Sequence, residues 1–92
     1  MPSRVQARVR LSNARGLHAR PCSAIVALAL AHRSTLKVRC NGTEVDGRSI
    51  LSLMTLGAAH GSELEFVAEG DDAAVLLARL RELVESGFDE HD

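Results

Sequence analysis

Apolar and polar residues alternate strictly along residues 4–12, and this pattern constrains the fold more than any other feature of the chain. The apolar positions are Val5, Ala7, Val9 and Leu11, and polar or charged residues lie between them. Alternation with a period of two is typical of a strand that buries one face and leaves the other in water. The chain is therefore expected to build a sheet with one covered and one open face.

Later segments switch between strand and helix patterns. Alternation returns at 35–41 and 63–69, and Asn41-Gly42 predicts a hairpin leading into a short strand at 43–46. Helical spacing predicts three helices: from Ala19 to about His32, from Ser49 to Met54, and from Gly70-Asp71 to just before Gly87. The predicted order is βαββαβα. This order favours an α+β open-faced sandwich, with a four-stranded antiparallel sheet and three helices on one face.

Size and composition limit the possible functions. The 92 residues are expected to form one domain over 1–92, and 46 % hydrophobic with 25 % charged residues is ordinary for a globular protein. Only 2 % of the residues are aromatic and the net charge is −1, so neither a base-stacking platform nor a basic field for nucleic acid is predicted. No apolar segment approaches the ~20 residues of a membrane span. A cytoplasmic protein without membrane insertion is expected, and the acidic tail 89–92 is expected to fray.

The cysteines and three of the histidines predict no metal or redox centre. Cys22 and Cys40 lack CxxC spacing and are expected to be reduced core residues. A reactive thiol at Cys22 is the alternative, because a helix N-terminus lowers a thiol's pKa, but packing is favoured. His32, His60 and His91 have no metal-ligand spacing and are expected at the surface.

The segment Gly16-Leu17-His18-Ala19-Arg20-Pro21 places an imidazole between a strand loop and a helix. Unpaired N–H groups and the positive dipole end of a helix N-terminus stabilise an anion. Arg20 adds a guanidinium suited to phosphate oxygens, and neutral His18 is a nucleophile. Gly16 permits close backbone approach and positive φ, and Pro21 suits the first helical turn. A capping histidine beside a surface arginine remains the alternative on this pattern alone.

These six residues, following a strand and Asn13, resemble the active-site signature of the HPr phosphocarriers of the bacterial phosphotransferase system (PTS). Residues 48–57 are similar to the family's regulatory-serine helix, and the element order agrees over nearly the whole chain. The ending 85–90 resembles the nitrogen-related NPr branch. Gly16-Leu17 and Arg48-Ser49 also suit the sugar branch, so both branches stay open.

The resemblance implies a carrier, not an enzyme, with no cofactor and no metal. It implies that the phosphoenolpyruvate-dependent first enzyme phosphorylates His18 on Nδ1 and that Arg20 contacts the phosphoryl group. Gly16, Ala19 and Pro21 would shape the backbone of the phosphate site. A IIA-type protein would be the acceptor, and the carrier is expected to be a monomer.

The second stretch carries a regulatory prediction and a surface prediction. Ser49 is expected to cap a helix, and the resemblance implies that an HPr kinase/phosphorylase could phosphorylate it. Four apolar residues are predicted to belong to the partner interface, with core packing as the alternative: Leu17, Ile50, Leu51 and Met54.

Two other functions compete with the carrier. A regulatory module acting through phosphoserine alone would have no need of His18, which argues against it. A small-molecule-sensing α/β domain of similar topology would be expected to carry a glycine-lined effector site in place of His-Ala-Arg-Pro.

Overall fold

The computed structural model describes residues 3–90. These residues form β1 (Ser3–Arg10), α1 (Ala19–Leu30), β2 (Thr35–Cys40), β3 (Thr43–Asp46), α2 (Ile50–Met54), β4 (Glu63–Gly70), α3 (Ala73–Glu85) and a 3₁₀ turn at Gly87–Asp89. The strands form one antiparallel sheet in the order β1-β4-β2-β3. The predicted α+β open-faced sandwich is confirmed. No helix within 3–90 is long and apolar enough to cross a bilayer.

The predicted hairpin joins β2 and β3 through Asn41 and Gly42. Cys40 pairs with Thr43 across the turn, and the two turn residues have φ of 51° and 82°. Two consecutive positive φ values are characteristic of a tight two-residue hairpin. Asn-Gly is the pair that adopts this conformation most easily, which explains why the strand boundaries here could be predicted closely.

A continuous core fills the space between the sheet and the helices. Phe66 of β4 lies fully buried in it, among residues from all three helices. Cys22 and Cys40 are buried as predicted, and burial raises the pKa of the Cys22 thiol. The reactive-thiol alternative for Cys22 is therefore opposed by its environment. Leu17 also belongs to this core at 6 % exposure, so its predicted place on an exposed interface is wrong.

The opposite face of the sheet carries a row of charges that crosses all four strands. Glu65 lies between Arg8 and Arg39, at 3.4 Å and 3.0 Å, and Arg39 also contacts Glu44 at 2.6 Å. The hydrogen bond from Arg39, followed by that from Arg8, lowers the pKa of Glu65. Charged residues dominate this face of the sheet, and a second layer packed on it would have to desolvate them.

Two side-chain contacts tie the segment that follows α1 to α3 and the residue before it. Asp72, the residue before α3, accepts hydrogen bonds from the Ser34 hydroxyl and from the backbone N–H groups of Arg33 and Ser34, and these bonds lower its pKa to about 2. His32 bonds the Leu28 carbonyl through Nδ1 and Arg79 through Nε2. His32 is 8 % exposed, so its predicted surface position is wrong: the end of α1 packs against α3 and encloses the ring.

The residues after α3 fold back onto the molecule. Phe88 is buried, and Phe88 and Asp89 have φ of 59° and 56°, which turns the chain sharply. The predicted fraying is therefore wrong for Asp89 and Glu90, because Phe88 is buried in the core and holds the neighbouring turn against the molecule. The rest of the predicted tail, including His91, lies outside the described residues. His60 is exposed, as predicted.

Candidate functional site

His18 is the residue immediately before α1. Its backbone is extended, with φ −91° and ψ −173°, and its carbonyl accepts a hydrogen bond from the Cys22 N–H at 3.2 Å. The side chain forms no capping bond, and it is 23 % exposed. The alternative of a capping histidine is therefore contradicted, and the imidazole is available for other chemistry.

The loop before His18 is held against the loop that follows α2. Gly16 has φ +62°, and a Cβ on it would lie 2.4 Å from the Ala58 carbonyl oxygen. The Leu17 N–H donates to that same oxygen at 2.9 Å. Close approach and positive φ therefore both require glycine at this position. This contact also explains why Leu17 points inward.

The His18 ring is paired with a carboxylate from the far end of the described chain. His18 Nε2 lies 2.7 Å from Glu90 Oε2, across a sequence separation of 72 residues. Asn13 Nδ2 donates to Glu90 Oε1 at 2.9 Å and to the Gly16 carbonyl at 2.8 Å. The Glu90 side chain is only 7 % exposed. Sequence reasoning missed Glu90 and the side-chain role of Asn13, since no local pattern links positions so far apart.

The charge state of Glu90 follows from these contacts. Hydrogen bonds from Asn13, and then from His18, lower the pKa of Glu90, with a further contribution from the positive charge of Arg20, while burial opposes them. The carboxylate is therefore ionised near neutral pH and can only accept hydrogen bonds.

The first turn of α1 offers free donors beside His18. Ala19 and Arg20 are its first two residues, whose N–H groups have no partner within a helix. Pro21, buried at the third position, has no N–H to lose. Within residues 3–90 the Arg20 side chain forms no ion pair, and it is exposed. An anion next to His18 would thus meet backbone donors and an uncommitted guanidinium.

The sequence matches a known protein family over most of its length. Residues 5–86 match the family model described as "PTS HPr component phosphorylation site". The chain belongs to the HPr family. HPr proteins are phosphocarriers of the phosphotransferase system and not enzymes, so the predicted function class is confirmed.

Individual relatives agree with this family. The phosphocarrier protein HPr of Treponema pallidum is 37 % identical over 82 residues, covering 89 % of this chain and 93 % of that protein. The phosphocarrier protein NPr of Proteus mirabilis is 33 % identical over 84 residues, covering 90 % and 93 %. The crystal structure of HPr-C-His from Thermoanaerobacter tengcongensis superimposes with a TM-score of 0.90 at 33 % identity, covering 96 % and 99 %. Similarity therefore extends to both branches of the HPr family.

The second predicted stretch forms α2 of this HPr protein, which packs against α1. Ser49 caps α2, and its hydroxyl accepts a hydrogen bond from the Ser52 N–H at 3.2 Å. Leu53 is the residue of α2 that enters the core. Three others are exposed, as predicted: Ile50 at 38 %, Leu51 at 79 % and Met54 at 43 %. Among residues 3–90, no His, Cys, Asp and Glu side chains cluster in a way that could hold a metal ion.

Proposed function

We propose that His18 carries the phosphoryl group of this HPr protein and that Nδ1 is the atom that binds phosphorus. One observation carries the proposal: the imidazole stands at the start of α1 with Nε2 engaged by Glu90, and no group within residues 3–90 bonds Nδ1. The donor is the first enzyme of the system, charged by phosphoenolpyruvate, and the acceptor is a IIA-type protein. Both partners fit the family.

The transfer needs little from the carrier. The Nδ1 lone pair forms a bond to phosphorus while the bond from phosphorus to the donor's leaving atom breaks, and its electron pair stays with the donor. The reverse exchange delivers the group to the acceptor. The N–H groups of Ala19 and Arg20 can bind phosphoryl oxygens during both steps. Incubation with the first enzyme and phosphoenolpyruvate, followed by intact mass and an acid-lability test, examines this assignment.

Replacing Arg20 with alanine should slow transfer without abolishing it. The helix N-terminus keeps its N–H donors, but the fixed charge that would contact the phosphoryl oxygens is lost. The expected loss is about 1–3 kcal/mol of transition-state stabilisation, as for a charge-assisted hydrogen bond. Rapid-quench kinetics with donor and acceptor measure it. Arg33→Ala, which removes an exposed charge beyond the other end of α1, is the control; equal rates in the two variants would refute the role of Arg20.

We also propose that partners dock on the exposed face of α2 beside the His18 loop. Ile50, Leu51 and Met54 offer apolar surface there. The loop that follows α2 is held against the His18 loop, because the Leu17 N–H donates to the Ala58 carbonyl. The protein is proposed to act in the cytoplasm, as a monomeric single domain over 1–92.

Ser49 is proposed as a regulatory site for an HPr kinase/phosphorylase, acting on binding and not on transfer. Ser49→Asp should weaken binding of the first enzyme by about tenfold or more, because a charge beside apolar docking surface opposes desolvation. Stability should be unchanged, since aspartate is as good a helix cap as serine. Isothermal calorimetry with the first enzyme measures the affinity.

Ser49→Ala is the matched variant. It should bind normally and lose about 1 kcal/mol of stability, because the Ser52 N–H loses its acceptor. Equal affinities for the wild type and both variants would leave Ser49 with a capping role alone.

A further inference from the structure

We propose that Glu90 is a positioning residue for the phosphoryl transfer, holding neutral His18 in the tautomer whose Nδ1 lone pair is free to attack phosphorus. The inference rests on the proposed role of His18 and concerns a residue outside the six-residue motif. Its basis is the 2.7 Å contact between His18 Nε2 and Glu90 Oε2, inside a site where the carboxylate is 7 % exposed.

The direction of the hydrogen bonds follows from the three side chains together. Asn13 Nδ2 faces two acceptors, the Gly16 carbonyl at 2.8 Å and Glu90 Oε1 at 2.9 Å, so the Asn13 amide must present its NH₂ group there. Glu90 is ionised and only accepts. The hydrogen between Glu90 and His18 must therefore lie on Nε2. Since neutral imidazole has one N–H, Nδ1 carries the lone pair.

The same pairing favours the phosphorylated product. When Nδ1 binds phosphorus, Nε2 keeps its hydrogen and the ring becomes a cation. Glu90 then faces that developing charge at hydrogen-bond distance, without taking up the proton. When the phosphoryl group leaves, its bonding electron pair with Nδ1 returns to Nδ1 and the ring is neutral again.

An amide at position 90 should reverse this arrangement. Asn13 still requires an acceptor, so in Glu90→Gln the side-chain oxygen would face Asn13 and the NH₂ group would face His18. An NH₂ group donates, and the acceptor it requires is a lone pair on Nε2. The ring hydrogen would then move to Nδ1 and block the nucleophile. Glu90→Ala removes the partner without imposing the wrong tautomer.

The test combines ring ¹⁵N NMR with phosphoryl-transfer kinetics. At a pH high enough that the spectrum shows neutral imidazole, the wild type should show the hydrogen on Nε2 and Glu90→Gln should show it on Nδ1. Transfer should fall about tenfold in Glu90→Ala. It should fall about 100-fold or more in Glu90→Gln, because an inverted tautomer disables a histidine more severely than a missing partner. The ranking is informative, since a merely structural Glu90 would be replaced better by isosteric glutamine than by alanine.

Glu85→Gln is the matched control, because it removes a nearby carboxylate whose ion partner is Arg81 at 3.9 Å. It should leave both the tautomer and the rate unchanged. An Nε2–H signal in Glu90→Gln, or transfer as fast as in Glu90→Ala, would overturn the inference. If His18 is not the acceptor, labelling will survive its replacement. If His18 is the acceptor but Glu90 does not position it, labelling will be lost in His18→Ala and will be unchanged in Glu90→Gln.

Discussion

Replacing His18 with alanine should abolish phosphoenolpyruvate-dependent labelling while the fold stays intact. The fold should survive because the side chain forms no helix cap and its described polar contact is the one with Glu90. The backbone bond from the Cys22 N–H to the His18 carbonyl does not depend on the side chain. Intact mass after incubation with the first enzyme measures labelling, and circular dichroism with a thermal scan measures folding.

His60→Ala is the control for this experiment. His60 is exposed and lines the same surface depression as Glu90, but it lies outside the motif. Its replacement should leave labelling complete. An acid-labile phosphate that persists in His18→Ala would show that another residue is the acceptor.

Replacing Gly16 with alanine should destabilise the protein by roughly 2–5 kcal/mol and disturb the site. A Cβ in the left-handed region costs about 1–2 kcal/mol, and its overlap with a backbone atom adds about 1–3 kcal/mol. The overlap cannot be relieved by a side-chain rotation, because the atom met at 2.4 Å is the Ala58 carbonyl oxygen. Urea denaturation should measure the loss, and transfer should slow as the His18 loop moves.

Gly57 provides a control with nearly the same φ. Its φ is +59°, and a Cβ there would meet nothing within 4 Å. Gly57→Ala should therefore lose only the conformational part, about 1–2 kcal/mol, with transfer unchanged. Equal losses in the two variants would mean that the contact with Ala58 adds nothing.

Local sequence patterns predicted most of this fold. Alternation located β1, β2 and β4 because each buries one face, and the Asn41-Gly42 turn set the boundary between β2 and β3. The motif likewise located the His18 loop, because the positive φ of Gly16 and the helix start at Ala19 depend on neighbouring residues. Features whose cause lies within a few residues could be predicted.

The features that sequence reasoning missed depend on contacts between distant segments. Leu17 lies inward because its loop is bonded to Ala58, and His32 is enclosed because Arg79 of α3 reaches it. Glu90 belongs to an acidic ending that resembles a solvated tail, and only the burial of Phe88 brings its carboxylate to His18. Hydrophobic periodicity contains no information about any of these three pairings.

The position of Glu90 also affects how this domain should be excised or transplanted. The family match ends at residue 86, so a boundary drawn from that similarity would remove both Phe88 and Glu90. Such a fragment would retain the whole Gly16–Pro21 motif and the strands and helices of the sandwich. Its core would lack one aromatic ring, and its imidazole would face water where the full domain has a carboxylate. A chimera or minimal domain meant to relay phosphate should therefore include the chain through Glu90.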